Sequence, residues 1–253
     1  MNVKLLVAYD GAGFHGFAVN HGVRTVAGTL TEAISTVVRG AVTLTGAGRT
    51  DAGVHAWGQV LSVGLPDETN LTDLARRLNK LCAPAIAVRS IEPVADDFDA
   101  RFSAQWRHYR YDVWNAPYPN PLLANRTWHV AGPLDVGAMD EAAQHVVGEH
   151  DFASFCRRPK VAAGDPEPTL VRRVLESRWT DATEKASGER LLRFQIRANA
   201  FCHQMVRSIV GTLVDVGAGK LMADIPTILA AGDRQAAGQV APPHGLTLWE
   251  VRY

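Results

Sequence analysis

The amino-acid sequence predicts an α+β fold, in which helices alternate with the strands of a mixed, mainly antiparallel sheet. Three observations favour this fold class. The chain up to Val94 shows the order β-α-β-β-α-β, the remainder repeats that order with longer connections, and 47% hydrophobic with 21% charged residues is a globular composition. Two such units in tandem predict two ferredoxin-like halves with an active-site cleft between them. We place the boundary at Arg101, which gives the domains 1–101 and 102–253.

Hydrophobic periodicity predicts each element of the first half in turn. Alternation with period two indicates strands, and an apolar stripe with period 3.6 indicates a helix. The predicted elements are a strand at Val3–Tyr9, a helix at Thr25–Arg39, strands at Ala41–Thr45 and Trp57–Val63, a helix that begins after Thr69 with Leu71, Leu74, Leu78 and Leu81 on one face, and a strand at Ile86–Val94.

The second half is predicted by the same criteria. Its elements are a strand at His108–Trp114, a helix at Asp135–Val147, strands at Leu170–Trp179 and Leu191–Ala198, a helix at Phe201–Gly217 and a strand at Thr247–Tyr253. Two proline-rich segments, Asn115–Ala124 and Arg157–Thr169, are predicted to be loops, because proline lacks a backbone donor and disfavours helix before it. The second contains Arg157, Arg158 and Lys160, and is either a flap over a ligand or an ordinary solvent loop.

The 26 basic and 26 acidic side chains give zero net charge, which argues against a polybasic nucleic-acid binder. The charge is unevenly distributed, however. The basic residues are 21 Arg and 5 Lys, and the stretch Arg190–Val214 contains four arginines and no acid. Arginine forms bidentate contacts with phosphate, so this stretch is either a solvated face or the basic floor of a cleft.

Three cysteines, Cys82, Cys156 and Cys202, are far apart in the sequence and form no C-x-x-C pair. This spacing favours reduced thiols in a cytoplasm and argues against a structural zinc site. The sequence has no apolar run of about 18 residues, so we expect no membrane span and a cytoplasmic location.

Glycines are densest in the segment Thr45–His55, which lies between two predicted strands. It matches neither a phosphate-binding loop nor a dinucleotide fingerprint, because the glycine spacing differs and a strand follows instead of a helix. Asp51 therefore lies at the tip of a strand-to-strand turn. It either forms an Asx turn or acts as a nucleophile or base next to Arg49.

The motifs of this chain resemble, in order and spacing, those of the TruA-type tRNA pseudouridine synthases, and the resemblance covers almost the whole chain. The matching segments are Tyr9-Asp10-Gly11 with Phe14 and Gly16; Gly48–His55; Asp97–Ser103; Tyr109-Arg110-Tyr111; Asp151–Phe155; Ala198–Phe201 with His203, Met205-Val206-Arg207 and Ile209-Val210-Gly211; and Gly245–Leu248 with Val251 and Tyr253.

The resemblance implies isomerisation of uridine to pseudouridine in tRNA, without metal or other cofactor. It implies that Asp51 is the essential aspartate, which acts on a flipped-out uridine. By resemblance, Arg207 pairs with this aspartate, although a surface arginine is the alternative. Tyr109 stacks on the target base, unless it is only a core aromatic. The family also implies a homodimer that grips one tRNA, and uridines around positions 38 to 40 of the anticodon stem-loop.

Further substrate contacts are expected from five residues. By resemblance, Leu248 lines the other side of the uracil, and Arg49 fills the space that the base vacates or holds a phosphate. The strand Leu191–Ala198 alternates, so one face packs while the other, with Arg193 and Arg197, meets solvent or phosphate. His203, in the matching segment that follows Ala198–Phe201, is the fifth expected substrate contact.

Two departures from the family pattern concern tRNA handling. The family usually has Trp-Gln and a further Gln after Gly16, where this chain has Phe17-Ala18-Val19-Asn20, and Val-Gln where it has Val26-Ala27-Gly28. The altered stretch Phe17–Asn20 leaves an alternative function open: a catalytically silent RNA-binding or chaperone paralogue on the same scaffold.

Overall fold

The computed structural model describes residues 1–158, 161, 167–183, 189–221 and 224–253, which form ten strands and five α-helices. The strands are β1 (Asn2–Tyr9), β2 (Thr45–Gly46), β3 (His55–Gly64), β4 (Ile86–Pro93), β5 (Trp106–Asn115), β6 (Trp128–Val130), β7 (Gly148–Asp151), β8 (Val171–Asp181), β9 (Arg190–Ala198) and β10 (Leu246–Arg252). The helices are α1 (Val26–Val38), α2 (Leu71–Cys82), α3 (Val136–Gln144), α4 (Met205–Gly217) and α5 (Ile225–Ala231). The predicted α+β class with mainly antiparallel pairing is confirmed.

The chain packs as two compact units. The first contains Met1–Arg107 and Thr247–Tyr253, and the second contains His108–Leu246. This division follows packing, whereas the predicted boundary at Arg101 follows the repeated order of elements. The two tandem ferredoxin-like halves stay a prediction.

In the first unit, β1 lies between β3 and β4 and is antiparallel to both. On the other side of β3, β10 runs parallel to it, so the C-terminal strand joins the N-terminal unit. Alternate side chains of β1 are buried, and α1 packs against α2. The core of this unit includes Leu5, Leu30, Ile34, Leu74 and Leu78.

The ends of α1 and α2 follow from local side-chain chemistry. The Thr25 hydroxyl accepts a hydrogen bond from the Gly28 N–H, and the Asn70 side chain accepts one from the Asp73 N–H, so each caps its helix. One part of the α2 prediction is wrong: the Leu81 side chain is 55% exposed, and Cys82 is buried beside Leu78. Leu74, Leu78 and Cys82 are spaced four apart and share one face, whereas Leu81 lies at its edge.

The strand predicted at Ala41–Thr45 is also wrong over most of its length. Only Thr45 and Gly46 pair, opposite Ser62 and Leu61 of β3. Ala41 and Thr43 are exposed, and no strand pairing is described for residues 41–44. The apolar alternation therefore reflects partial burial of Val42 and Leu44, without hydrogen-bonded pairing of these residues to a neighbouring strand.

In the second unit, the strands are ordered β5-β9-β8-β7, and β6 runs parallel to β5. The β7–β8 and β8–β9 pairs are antiparallel, α3 packs on β8, and α3 also contacts α4. The predicted alternation of β9 is confirmed: Leu192, Phe194, Ile196 and Ala198 are buried, while the intervening residues are partly exposed.

The predicted start of α4 is wrong by four residues. Gln204 has a left-handed backbone (φ 65°), so the helix begins at Met205 and not at Phe201. The predicted α3 extends too far as well, because it ends at Gln144. Three short elements, β6, β7 and α5, were not predicted, since segments of three to seven residues carry too little periodicity.

Cys156 and Cys202 form a disulfide, and Cys82 is a free, buried thiol. The expectation of three reduced thiols is therefore wrong for this pair. The spacing argument failed because 46 residues of sequence separate two positions that the fold brings to a Cα–Cα distance of 5.8 Å.

Apart from Asn115, which is the last residue of β5, both predicted loops lack regular structure where they are described. In the second loop, Pro159, Lys160 and residues 162–166 lie outside the described residues. Within the described ranges, none of the helices combines the length and apolarity needed to cross a membrane.

Candidate active site

The glycine-rich segment Thr45–His55 lies in the first unit, where the chain after β1 packs directly on its backbone. A Cβ atom on Gly11 would lie 2.0 Å from the Val54 carbonyl oxygen, so only glycine fits. Gly16 has φ +96°, and a Cβ there would lie 3.1 Å from the Thr50 carbonyl oxygen. That oxygen accepts a hydrogen bond from the Phe17 N–H at 3.0 Å. The segment is therefore held along its main chain.

A buried polar cluster, which we call the Tyr9–Gln59 network, supports the same segment. The Tyr9 hydroxyl lies 2.8 Å from the Thr50 Oγ1. The Gln59 amide donates to the Gly48 carbonyl at 2.8 Å and to the Tyr9 hydroxyl at 3.4 Å. Gln59 is fully buried, and burial raises the pKa of Tyr9 to about 12. The network is therefore uncharged at neutral pH.

Arg107 anchors the beginning of the segment. Its buried guanidinium donates to the Ala47 carbonyl from Nη2 at 2.9 Å and to the Arg101 carbonyl at 2.6 Å. Buried hydrogen bonds from a cation to main-chain oxygens are among the stronger ones in proteins. Contacts at Ala47, Gly48, Thr50 and Val54 thus hold the segment before and after Asp51.

Asp51 is half-buried at the tip of this held segment, and Arg49 is exposed. The Asp51 carbonyl accepts the Val54 N–H at 3.1 Å, and Gly53 adopts φ +80°, so a tight main-chain turn follows the aspartate. A carboxylate on such a turn is presented in a fixed position without regular secondary structure around it. This geometry suits a nucleophile or a general base.

His55 ends the segment as the first residue of β3. Its Nδ1 accepts a hydrogen bond from the Gly11 N–H at 3.1 Å and lies 3.2 Å from the Asp10 Oδ1. Asp10 also caps the Ala12 N–H at 3.0 Å.

Leu248 is the third predicted site residue of the first unit. It lies on β10 opposite Ala56 of β3, one residue beyond the end of the glycine-rich segment, and is fully buried. The fold therefore brings this apolar side chain to the strand that continues from the Asp51 segment.

Tyr109 and Arg207 lie in the second unit. Tyr109, on β5, is buried and meets the Phe201 ring edge-on, with 5.0 Å between centroids and an interplanar angle of 86°. This contact fixes the plane of the tyrosine ring. Tyr109 therefore fits both interpretations given above, since a ring fixed by a core contact is also oriented for stacking on a base.

Arg207 is half-buried on the largely apolar helix α4. Its Nε donates to the Ala241 carbonyl at 2.8 Å, and its own carbonyl accepts the Ala241 N–H at 3.1 Å. A Cβ on Gly211 would lie 1.8 Å from the Gln239 carbonyl oxygen, so the helix accepts this segment only with glycine there. The stem of Arg207 is therefore held by main-chain groups and is not a loose surface side chain.

The polar face of β9 is less basic than its sequence indicates. Arg193 forms a bidentate ion pair with Asp112, with Nε–Oδ1 at 2.7 Å and Nη2–Oδ2 at 2.8 Å, and this contact raises the pKa of Arg193. Arg197 lies 3.2 Å from a Glu176 oxygen. Acids on neighbouring strands thus offset both predicted phosphate contacts. His203 is exposed, and its carbonyl accepts the Arg157 N–H at 3.0 Å.

The second unit also buries a histidine among arginines. Burial, as the largest cause, and the charges of Arg110, Arg197 and Arg178 together lower the pKa of His108 to about 4. In the described part of the chain, no group of three or more His, Cys, Asp or Glu is arranged to hold a metal ion.

Comparison with known proteins identifies the family of this chain. The model of a family described as tRNA pseudouridine synthase matches residues 5–103 and 142–253. The chain belongs to this family. It is similar to proteins named tRNA pseudouridine synthase A from Frankia casuarinae (45% identity, 100% of this chain and 89% of the relative), Bacillus velezensis (41%, 100% and 99%) and Bacillus subtilis (40%, 100% and 99%).

The structure shows what Phe17, a departure from the family pattern, contacts. This side chain is buried, and a Cβ on Gly46 would lie 2.5 Å from its ring. Phe17 therefore packs beneath the glycine-rich segment. The expectation that the stretch Phe17–Asn20 serves tRNA handling stays a prediction. Val19 and Asn20 are exposed.

The residues that sequence reasoning missed are the ones that hold Asp51. Gln59 gave a usable signal, since an amide inside the apolar run Trp57–Val63 requires a buried hydrogen-bond partner. Tyr9 and Thr50 stand inside family motifs, but only the fold shows that their hydroxyls meet.

Proposed function

We propose that this protein isomerises uridine to pseudouridine in tRNA, with Asp51 as the catalytic carboxylate. The observation that carries the proposal is the position of Asp51 on a rigidly held turn, within a family motif and in a chain that matches pseudouridine synthases from end to end. Names of relatives support the reaction class, and the geometry of the turn supports the choice of residue.

The reaction requires bond exchange without net gain or loss of atoms. The C1′–N1 glycosidic bond breaks, the uracil rotates, and a C1′–C5 bond forms. C5 then loses its proton and N1 gains one, so substrate and product are isomers. Asp51 either attacks the sugar or the base covalently, or removes a sugar proton to give a glycal. Each route needs an ionised carboxylate held against the substrate.

Two residues of the second unit complete the proposed chemistry. Arg207 pairs with Asp51. Its helix position, set by the Ala241 contacts, supports this role because a held guanidinium loses little entropy on pairing. Tyr109 stacks on the uracil, and its hydroxyl assists removal of the C5 proton. The edge-on Phe201 contact supports a preset ring plane.

For substrate binding, we propose Leu248 against the uracil and Arg49 in the vacated space or on a phosphate. Arg193, Arg197 and His203 are the proposed additional tRNA contacts. Because Arg193 and Arg197 already face Asp112 and Glu176, they contribute to phosphate binding only as those ion pairs open. Exposed Arg49 is then the strongest of these contacts.

The finer assignments rest on family resemblance. We propose uridines around positions 38 to 40 of the anticodon stem-loop, a homodimer that grips one tRNA, and two tandem ferredoxin-like halves with the cleft between them. A cytoplasmic location is also proposed, although the Cys156–Cys202 disulfide contradicts the reduced-thiol argument for it.

Tritium release from tRNA labelled at uridine C5 tests the reaction and the residue together. We expect Asp51→Ala to lower the rate by at least about a thousandfold, as loss of an essential catalytic group does. The matched control is Asp96→Ala, which removes an exposed carboxylate outside the segment and leaves the rate unchanged. Wild-type activity in Asp51→Ala would overturn the assignment, and tRNA binding without any tritium release by the wild-type protein would establish the silent paralogue instead.

A further inference from the structure

We infer that Tyr9, Gln59 and Thr50 are positioning residues for the reaction, because together they fix the main chain on both sides of Arg49 and directly before Asp51. The inference rests on the proposed function of Asp51. In this inference, a buried and uncharged network determines the position of the Asp51 carboxylate.

The network reaches the catalytic segment at two points, two residues apart. Gln59 binds the Gly48 carbonyl at 2.8 Å, and Tyr9 meets the Thr50 Oγ1 at 2.8 Å. The Gln59 amide also donates to the Tyr9 hydroxyl at 3.4 Å, so the two contacts form one connected unit. A shift at Gly48 therefore strains the contact at Thr50, and the residues between and after them move together.

Burial makes the network costly to break. Gln59 is 0% exposed, Tyr9 5% and Thr50 7%, so water does not replace a lost partner. An unpaired buried amide or carbonyl keeps its desolvation cost, and a satisfied buried network rigidifies its surroundings. The Thr50 main chain is held as well, since its carbonyl accepts the Phe17 N–H at 3.0 Å. The side-chain contact thus fixes the remaining freedom of Thr50 immediately before Asp51.

These groups lie under the segment and do not replace Asp51 in the chemistry. Tyr9 is buried with its pKa raised to about 12, which makes it a poor proton donor or acceptor at neutral pH. Its contribution is geometric. A misplacement of about 1 Å costs roughly a hundredfold in rate, and a partial loosening costs less.

The test measures kcat and KM for tRNA pseudouridylation by Tyr9→Phe, which removes one hydroxyl and leaves the ring in the core. We expect kcat to fall about 10- to 100-fold with KM within about twofold of wild type. Tyr253→Phe is the matched control, since it also removes a tyrosine hydroxyl of the first unit, a partly buried one that donates to the Ala100 carbonyl at 2.7 Å. Its kcat stays within about twofold of wild type, even where the melting temperature falls as much as in Tyr9→Phe.

A second pair separates positioning from general stability. Thr50→Val keeps the shape and removes the hydroxyl, whereas Thr50→Ser keeps the hydroxyl. We expect the valine variant to lose kcat as Tyr9→Phe does, the serine variant to retain most of it, and the double variant Tyr9→Phe/Thr50→Val to lose no more than either alone.

Several outcomes would overturn the inference. These are wild-type kcat in Tyr9→Phe, an equal loss in Tyr253→Phe, or equal losses in Thr50→Ser and Thr50→Val. If Tyr9→Phe does not fold, the Thr50 pair decides alone. Failure of the proposed function is distinguished by Asp51→Ala: an active Asp51→Ala refutes the role of the aspartate, whereas an inactive Asp51→Ala with an active Tyr9→Phe refutes only the positioning role.

Discussion

In the first compact unit, buried hydrogen bonds hold the segment around Asp51: those of the neutral Tyr9–Gln59 network and those from the Arg107 guanidinium to main-chain oxygens. In the second unit, the polar face of β9 is held by ion pairs between partly exposed side chains, such as Arg193 with Asp112. The first arrangement places one group in a fixed position. The second places charged side chains on a partly exposed surface, where their ion pairs are able to open and the arginines to bind another partner.

The difference follows from the surroundings of each set of bonds. Buried neutral hydrogen bonds are insensitive to salt, and breaking one leaves an unsatisfied group in the interior. Ion pairs at partly exposed sites contribute little free energy, are screened by salt, and exchange partners easily. A catalytic carboxylate benefits from the first arrangement, whereas contacts with a tRNA backbone that must be formed and released benefit from the second.

The largest expected effect comes from Gly11→Ala, which breaks the first arrangement. The new Cβ would meet the Val54 carbonyl at 2.0 Å, so the segment has to move. We expect the free energy of unfolding to fall by more than about 3 kcal/mol, as for severe overpacking, and tritium release to be lost. Gly13→Ala in the same turn is the control, because its Cβ would meet only Arg24 Nη1 at 3.8 Å. Equal stability of both variants in urea titrations would contradict the close approach.

A smaller effect is expected from pH, through His108 in the second unit. The folded-state pKa of about 4 lies below the ordinary 6.5, so the unfolded chain binds the proton more readily. Stability is therefore fully present above pH 6.5 and is lost as the pH falls toward 4, by about 2 to 3 kcal/mol. Urea titrations between these pH values measure the slope. His108→Gln should flatten it, whereas His21→Gln, at an exposed histidine, should leave it unchanged.

The smallest effect is expected from Asp112→Asn, which tests the ion pairs of the second unit. The pair with Arg193 is bidentate but partly exposed, so its loss should cost about 1 kcal/mol at low salt and less at high salt. Removing the acid also releases Arg193, so tRNA affinity should rise and its salt dependence steepen by about one phosphate contact. Glu141→Gln, at an exposed carboxylate outside this pair, is the control. Unchanged affinity in Asp112→Asn would argue against Arg193 as a phosphate contact.

Long, strongly periodic elements were predictable from the sequence, and short or capped ones were not. The strands β1, β3 and β9 and the helix α1 match the prediction within two residues. Alternate residues of β1 and β9 are buried, nearly all of β3 is buried, and α1 buries one apolar stripe, so each carries a long apolar pattern. The start of α4 was missed because a left-handed Gln204 sets it, and side-chain periodicity does not report backbone handedness. Leu81 was misplaced because it lies at the edge of the buried stripe of α2.

The sequence by itself determined the fold class, the family, and the position of Asp51 in a glycine-rich turn, since periodicity and motif order are local properties of the chain. Only the tertiary structure decided what holds that turn: Tyr9, Gln59 and Arg107 come from three different strands. It also decided that acids offset the arginines of β9 and that Cys156 meets Cys202. The physical reason is that a buried hydrogen bond, an ion pair or a disulfide depends on the distance between side chains in space, and sequence separation does not specify that distance.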